Sequence, residues 1–281
     1  MDRSDAVIKS TQNKYVSLVR GLSSKKNREK NQLFRFDGIK LTCEAIAKGA
    51  ELELLVLREG AESAVEEKAR ELYKIEFESL DCRVLTVSAD IFDKLTDEMS
   101  PEGVISVAKY QKDMHTDRDN GFDGAEYIGE RILLLESVRD PQNVGAIIRV
   151  AAAFGVDRIV MSRDSADIYN SKTVRASMGT VFGMKVDRYT DICDAIDILR
   201  AQGRRVFAAA LDRNAVKLGS FEKNATDCVI IGNEGHGLSD KAINSCDKTV
   251  FIPMAEGVES LNAATAAAVL VWEFFGTNTS R

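Results

Sequence analysis

A two-part α/β protein is what this sequence predicts, and three observations predict it. Short aliphatic runs alternate with amphipathic stretches of helical period along most of the 281 residues. The alternation lapses over 111–129 (QKDMHTDRDNGFDGAEYIG), where Asp, Gly and Asn collect, so a linker is expected there. Beyond it, RILLLE (131–136) is almost continuously apolar, as suits a parallel strand buried on both faces. The expected division is a smaller three-layer α/β domain over 1–110, the linker 111–129, and a larger α/β domain over 130–281.

Taken in order, residues 12–30 are helical and polar, and a short strand follows around Leu33–Phe36. Asp37-Gly38 opens a helix with Ile39, Leu41, Ile46 and Ala47 on one side. Leu52–Leu57 reads as a strand, 61–74 (AESAVEEKARELYK) as an amphipathic helix, and 83–87 (RVLTV) as a strand. Ser88 starts a helix to residue 96, and 104–109 (VISVAK) is a strand. The second series has strands at 131–136, 158–161, 205–211, 228–231 and 249–252, with helices near 143–154, 173–179, 191–202, 238–245 and 260–275. Strands and helices alternating at these lengths pack in layers.

Composition narrows the class. With 44% hydrophobic and 29% charged residues the chain is globular rather than disordered. No apolar run approaches the ~20 residues that span a bilayer, and MDRSDAVIKSTQNKY lacks the apolar core of a signal peptide, so a cytoplasmic protein without membrane contact is expected. Five scattered cysteines without a C-x-x-C pair, and only two histidines, point to reduced thiols and no metal site. The formal net charge of −6 hides an asymmetry: residues 1–40 hold ten Lys/Arg against four acids, a net of +6, which leaves −12 for the rest. A basic head is what a polyanion partner requires, and Lys14, Lys25, Lys26, Arg28 and Arg35 are the candidate RNA contacts. Phe34 and Phe36 flank Arg35, a pattern that fits stacking on unpaired bases and equally fits a buried strand face.

Three stretches in the larger domain carry candidate chemistry. Pro141 and Pro253, two of three prolines, lie near carboxyl ends of expected strands, where open α/β sheets bind ligands. In Asp140-Pro-Gln-Asn-Val-Gly-Ala-Ile-Ile-Arg149, Asn143 is a good helix N-cap, and Arg149 interrupts an apolar helix, so it calls for a phosphate or a carboxylate partner. In Gly232-Asn-Glu234-Gly-His236-Gly237, a buried strand runs straight into bare backbone; the G-x-x-G-x-G spacing is not that of a dinucleotide fold, and His236 reads as a loop residue. In Ile252-Pro-Met254 through Ser260-Leu261-Asn262, a strand end leads to an alanine-rich helix capped by Ser260 or Glu259.

Together, N-x-G-A-I-I-R, then I-G-N-E-G-x-G-L, then I-P-M with E-S-L-N-A, resemble in order and spacing the three motifs of the SpoU/TrmH family of RNA ribose 2′-O-methyltransferases. Ser177 and Gly179 in VRASMGTVF look like its intervening segment. The resemblance covers about residues 130–275. The head, with Asn13-Lys14 and D-G-I-K-L after a strand, is similar to the RNA substrate-binding domain often fused in front, although Asp37 stands where Glu is common.

The resemblance implies a C-terminal α/β knot domain, trefoil-knotted on a mostly parallel sheet, working as a homodimer. It implies S-adenosyl-L-methionine as cofactor, held near Gly232, Ile252, Met254 and Leu261 with backbone at Ala209 and Leu211. It also implies methyl transfer to a ribose 2′-hydroxyl of rRNA or tRNA, with rRNA preferred. Arg149 is the implied base or phosphate-positioning residue; Asn143 supports it, Glu234 orients it, and Ser260 and Asn262 fix substrate and cofactor. A knotted RNA-binding protein without activity is the alternative.

Overall fold

The computed structural model describes residues 2–3, 6–118, 125–212, 214–257 and 260–276. The chain forms two compact units, Met1–Gln111 with Tyr169–Gly183, and Lys112–Ile168 with Met184–Arg281.

The first unit contains β1 (Asp2–Arg3), α1 (Lys14–Gly21), α2 (Lys25–Asn31), β2 (Leu33–Asp37), α3 (Ile39–Ala47), β3 (Leu52–Arg58), α4 (Glu62–Tyr73), β4 (Arg83–Val87), α5 (Ala89–Leu95) and β5 (Val104–Lys109). Its sheet order is β1-β4-β3-β5-β2. Strand β4 runs parallel to β1 and β3, and β5 antiparallel to β3 and β2. Alternation along β3 builds three layers: Leu54 and Val56 pack with Val16, Val19 and Phe92 of α1 and α5, while Leu55 and Leu57 pack with Ile39, Val65 and Ala69 of α3 and α4.

The expected helix over 12–30 is two helices. Carbonyls released where α1 ends are taken by side chains from α2: Arg28 donates to Leu22 O (2.9 Å) and Ser23 O (2.8 Å), and Asn27 Nδ2 to Gly21 O (3.0 Å). Phe34 and Phe36 are buried core residues, with ring centroids 4.6 Å from Tyr169 and 5.0 Å from Phe182 respectively, so they are not free to stack on bases.

The second unit begins with β6 (His115–Arg118), β7 (Ile132–Leu135), α6 (Pro141–Ala153) and β8 (Arg158–Ser162). The chain then gives α7 (Ser171–Ala176) and a 3₁₀ turn at Thr180–Gly183 to the first unit. It continues as β9 (Lys185–Tyr189), α8 (Ile192–Ala201), β10 (Val206–Ala209), β11 (Val216–Lys217), β12 (Cys228–Ile231), α9 (Asp240–Ser245), β13 (Lys248–Phe251) and α10 (Ala263–Phe275). The eight strands lie in the order β11-β13-β10-β12-β7-β8-β9-β6, and every registered pair is parallel. Ile132, Leu134, Cys228 and Ile230 pack beneath α8 and α9. Leu133, Leu135, Val229 and Ile231 supply the other face, where α10 packs on β12 and on α6. Among the described residues no helix is long and apolar enough to cross a membrane.

Several expectations change. Part of the stretch read as linker is β6, an edge strand paired with β9, followed by a 3₁₀ turn at Ala125–Tyr127; residues 119–124 lie outside the described residues. HTDR and KVDRY do not read as strands in the sequence because their polar residues point into an ionic cluster rather than an apolar core. Helix α6 starts two residues early, capped by Asp140, whose side chain accepts from Gln142 N, with Pro141 in the first turn; Asn143 is therefore inside the helix. Helix α10 is capped by Asn262, not by Ser260, and Glu259 lies outside the described residues.

The ionic cluster ties β6 and the 3₁₀ turn to β8 and β9. Asp187 is fully buried; it accepts from Arg158 Nη1 (2.8 Å) and the Tyr127 hydroxyl (3.0 Å) and forms an ion pair with Arg118 Nε (3.2 Å). Glu130 receives Arg158 Nε (2.6 Å) and Lys185 Nζ (2.7 Å). Burial first, and then Asp187, push the Tyr127 phenol far above its ordinary range, so it remains a donor. Breaking such a buried pair strands a charge. Arg158→Met is expected to cost about 3–5 kcal/mol in urea unfolding, whereas a loss below about 1 kcal/mol would show that water reaches Asp187.

Candidate functional site

The parallel strands of the second unit all end on one edge, and loops leaving three neighbours, β10, β12 and β13, enclose a cavity of about 420 Å³. Residues 209–211 form one wall, the turn 232–238 another, and Ile252, Met254, Ser260 and Leu261 the approach to α10.

Gly232 sets the shape of the turn. A Cβ there would stand 2.3 Å from Gly237 C and 2.4 Å from Leu238 N, so only glycine lets the two backbones meet. Asn233 and Gly237 exchange backbone hydrogen bonds of 3.0 Å. The Asn233 side chain locks the same turn: Oδ1 accepts from Gly235 N (2.8 Å) and His236 N (3.1 Å), and Nδ2 donates to Ser137 O (2.8 Å). Sequence reasoning passed over Asn233; an Asn followed by glycines two and four residues on is the Asx-turn signal that would have found it.

Glu234 reaches from the turn to α6. It accepts from Asn143 Nδ2 (2.9 Å) and from the backbone N–H of Asp140 (3.2 Å) and Arg139 (3.3 Å). Burial works to raise this carboxyl, but the hydrogen bonds outweigh it and hold the group below the usual carboxylate range. Asn143 Oδ1 accepts in turn from Asn262 Nδ2 (3.0 Å), while Asn262 Oδ1 accepts from Ala264 N (2.9 Å) and caps α10. A chain of three side chains thus joins the loops after β7, β12 and β13.

Glu234, Asn143 and Asn262 are therefore brought together, and Ser260 lines the adjoining cavity. The six candidate cofactor contacts, Ala209, Leu211, Gly232, Ile252, Met254 and Leu261, all line that cavity. Arg149 does not line it. It lies on the exposed side of α6 and makes no ion pair among the described residues, so no carboxylate partner meets it within the chain, and exposure to water removes the need for one. His236, read as a loop residue, lines the cavity. Ser177 is buried in the first unit, donating to Val174 O at 2.7 Å.

The candidate RNA contacts separate into two groups. Lys14, Lys25 and Lys26 are exposed. Arg28 and Arg35 are not available: they are 3% and 5% exposed. Arg28 holds the α1–α2 turn, and Arg35 donates to Leu95 O and pairs with Asp97 at 3.0 Å. A guanidinium offers five donors, enough to satisfy several carbonyls at once, which is why buried turns recruit it.

Comparison with known proteins agrees with these motifs. The SpoU rRNA methylase family matches residues 130–272, and an MRM3-like substrate binding domain matches residues 13–106. The 23S rRNA (guanosine(2553)-2′-O)-methyltransferase RlmP of Bacillus subtilis is 30% identical over 270 residues, 96% of this chain and 99% of its own. The AdoMet-bound rRNA methyltransferase of Sinorhizobium meliloti superimposes with a TM-score of 0.78 at 27% identity, covering 98% of this chain and 99% of that one. The SpoU methyltransferase AviRb of Streptomyces viridochromogenes, in complex with AdoMet, gives 0.76 at 25% identity, covering 93% and 97%.

Gly232→Ala is expected to destabilise the chain by about 1–3 kcal/mol through overpacking against backbone. Gly235→Ala, whose nearest neighbour would be Asn233 Oδ1 at 3.5 Å, should lie within about 0.5 kcal/mol of wild type. Equal urea midpoints for the two variants would show that the turn opens at no cost.

Proposed function

The chain belongs to the SpoU rRNA methylase family, and we propose that it is an S-adenosylmethionine-dependent enzyme methylating a ribose 2′-hydroxyl in structured RNA, rRNA rather than tRNA. The observation that carries this reading is the Glu234–Asn143–Asn262 chain beside a glycine-walled cavity at the strand ends.

The cavity fits the cofactor. Its volume is that of a small-molecule site, Leu211, Ile252 and Leu261 give apolar walls for a nucleoside base, and Gly232 exposes backbone. No Lys or Arg occurs among the described lining residues, while Glu234 contributes a carboxylate, a balance suited to a cationic ligand. When bound, S-adenosylmethionine supplies an electrophilic methyl group on a positively charged sulfonium. Glu234 fixes the Asn143 amide, and Asn143 and Asn262 hold the start of α10, so that Ser260 and Leu261 meet the ligand in one arrangement. Arg149 holds an RNA phosphate and stabilises the developing alkoxide, since a guanidinium is too weak a base to take the hydroxyl proton at neutral pH.

Arg149 serves the cavity of a second copy. Support comes from its exposure on α6 and from α10, which packs on α6 and leaves Trp272 52% exposed, edge-on to Phe154 at 5.3 Å between ring centroids. An aromatic left in the open on such a helix suits a homodimer interface. The last segment forms a trefoil knot, supported by the convergence of the loops after β10, β12 and β13 on one cavity and by the return of α10 over β12 to α6. The first unit binds RNA through Lys14, Lys25 and Lys26, and the second, which takes in β6 from the expected linker, carries the transfer. The enzyme works in the cytoplasm, without metal or membrane, a setting that suits its five free cysteines.

Tritiated-methyl transfer to unmodified rRNA tests the reading. Arg149→Ala is expected to lower the rate about 10²-fold or more while S-adenosylhomocysteine binding by calorimetry stays unchanged. No label in any RNA would leave a knotted RNA-binding protein instead. Replacing Lys25 and Lys26 by Gln should weaken RNA binding and reduce the salt dependence of log K by roughly 0.7–0.9 per lost phosphate contact. Arg28→Ala should instead lower the unfolding midpoint, because its donors hold a turn.

A further inference from the structure

Transfer of a methyl group to a hydroxyl must also remove a proton, and the assignments above leave that proton without a destination. Arg149, assigned above to the phosphate, does not belong to a side-chain class that accepts protons near neutrality. Of the described side chains that line the cavity, only Glu234 and His236 belong to classes that exchange protons in water. Glu234 is already committed to four N–H donors, those of Asn143 Nδ2, Asp140 N, Arg139 N and, at 3.4 Å, Asn233 Nδ2. Its depressed proton affinity makes it a poor acceptor.

His236 is different in each respect. Its backbone N–H is anchored to Asn233 Oδ1, and the turn that carries it is closed by Asn233 and Gly237 and allows no Cβ at Gly232. The ring is exposed on the cavity wall and makes no hydrogen bond or ion pair among the described residues. Imidazole is the side chain that is ordinarily neutral, and so able to accept a proton, just above ~6.5. Other charged groups on the elements framing the cavity, Asp212 after β10, Asp240 and Lys241 on α9, Glu256 after β13 and Glu273 on α10, do not line it.

We propose that the His236 imidazole receives the proton of the ribose 2′-hydroxyl during methyl transfer. The proposal rests on the methyltransferase reading given above. The hydroxyl oxygen forms the new O–CH₃ bond, the C–S bond breaks with its electron pair passing to sulfur to leave a neutral thioether, and the O–H proton goes to the free ring nitrogen. Being exposed, the imidazolium returns that proton to water before the next turnover.

The test uses the full chain, which has only two histidines, His115 and His236, so comparison with His236→Gln assigns both imidazole resonances in the proton NMR spectrum. The His236 titration is followed with saturating S-adenosylhomocysteine and again with S-adenosylmethionine, which differs by a methyl group and one positive charge. A lower midpoint with S-adenosylmethionine is expected, because a nearby cation disfavours a second one. Equal midpoints would put the ring away from the reacting methyl and overturn the proposal. In single-turnover transfer, His236→Gln should lose about 10²-fold in rate together with the acid limb of the pH profile. His236→Ala should recover part of the rate with added imidazole. A His236→Gln enzyme with wild-type rate and profile would overturn the assignment, whereas a wild-type chain that binds neither ligand by calorimetry would overturn the methyltransferase reading itself.

Discussion

The site depends on Asn143 being claimed from two sides. Its amide nitrogen donates to Glu234 at 2.9 Å and its amide oxygen accepts from Asn262 at 3.0 Å, and these two partners arrive on loops from different strands. A net hydrogen bond contributes only about 0.5–1.5 kcal/mol, so the chain does not hold the fold together. That is enough to select one rotamer from three for each side chain and to fix the register of α10 on α6. The apolar packing of the sheet determines where the loops begin, and this amide determines how they meet.

Close approach is the second condition. Asn262 reaches Asn143 from a helix that opens Ala-Ala-Thr-Ala-Ala-Ala, and these small side chains let α10 lie near both α6 and β12. The helix carries its bulk at the far end, where Leu270, Val271, Phe274 and Phe275 are buried. Slender where the loops converge and heavy where the core needs volume, the sequence of α10 follows the space available. The turn after β12 obeys the same limit at Gly232, where two backbones touch and no side chain fits.

Legibility followed burial. Strands with both faces in the core, such as ILLL and CVII, could be read directly because every residue is apolar. The strands HTDR and KVDRY could not, because Arg118, Asp187 and Arg158 satisfy one another by charge, and a period of two in polar residues looks like loop. Helix starts were misjudged at α6 and α10 for a related reason. Several residues near each start are capable caps, and the one used, Asp140 or Asn262, is decided by which side chain is not needed elsewhere; Asn143 is occupied with Glu234. The cavity-lining residues were legible because bare glycine backbone and ordered motifs are properties of the chain itself. The fate of Arg28 and Arg35 was not, since a basic residue in sequence carries no sign of which carbonyls will be left unpaired around it.

The charge distribution answers two opposed demands. A polyanionic substrate is held by cations, and a sulfonium ligand by anionic or neutral groups, so a chain serving both has to keep them on different surfaces. Screening makes this practicable, because exposed charges farther apart than ~8 Å act almost independently at physiological salt. Lys14, Lys25 and Lys26 are exposed on the first unit, while the described lining of the cavity in the second unit has Glu234 and no Lys or Arg. Arg149 obeys the same division within a single helix. Asn143 turns toward the cavity side and Arg149, six residues on and about 240° further round, turns to solvent. The exposed guanidinium on α6 is thus kept out of the cavity of its own chain.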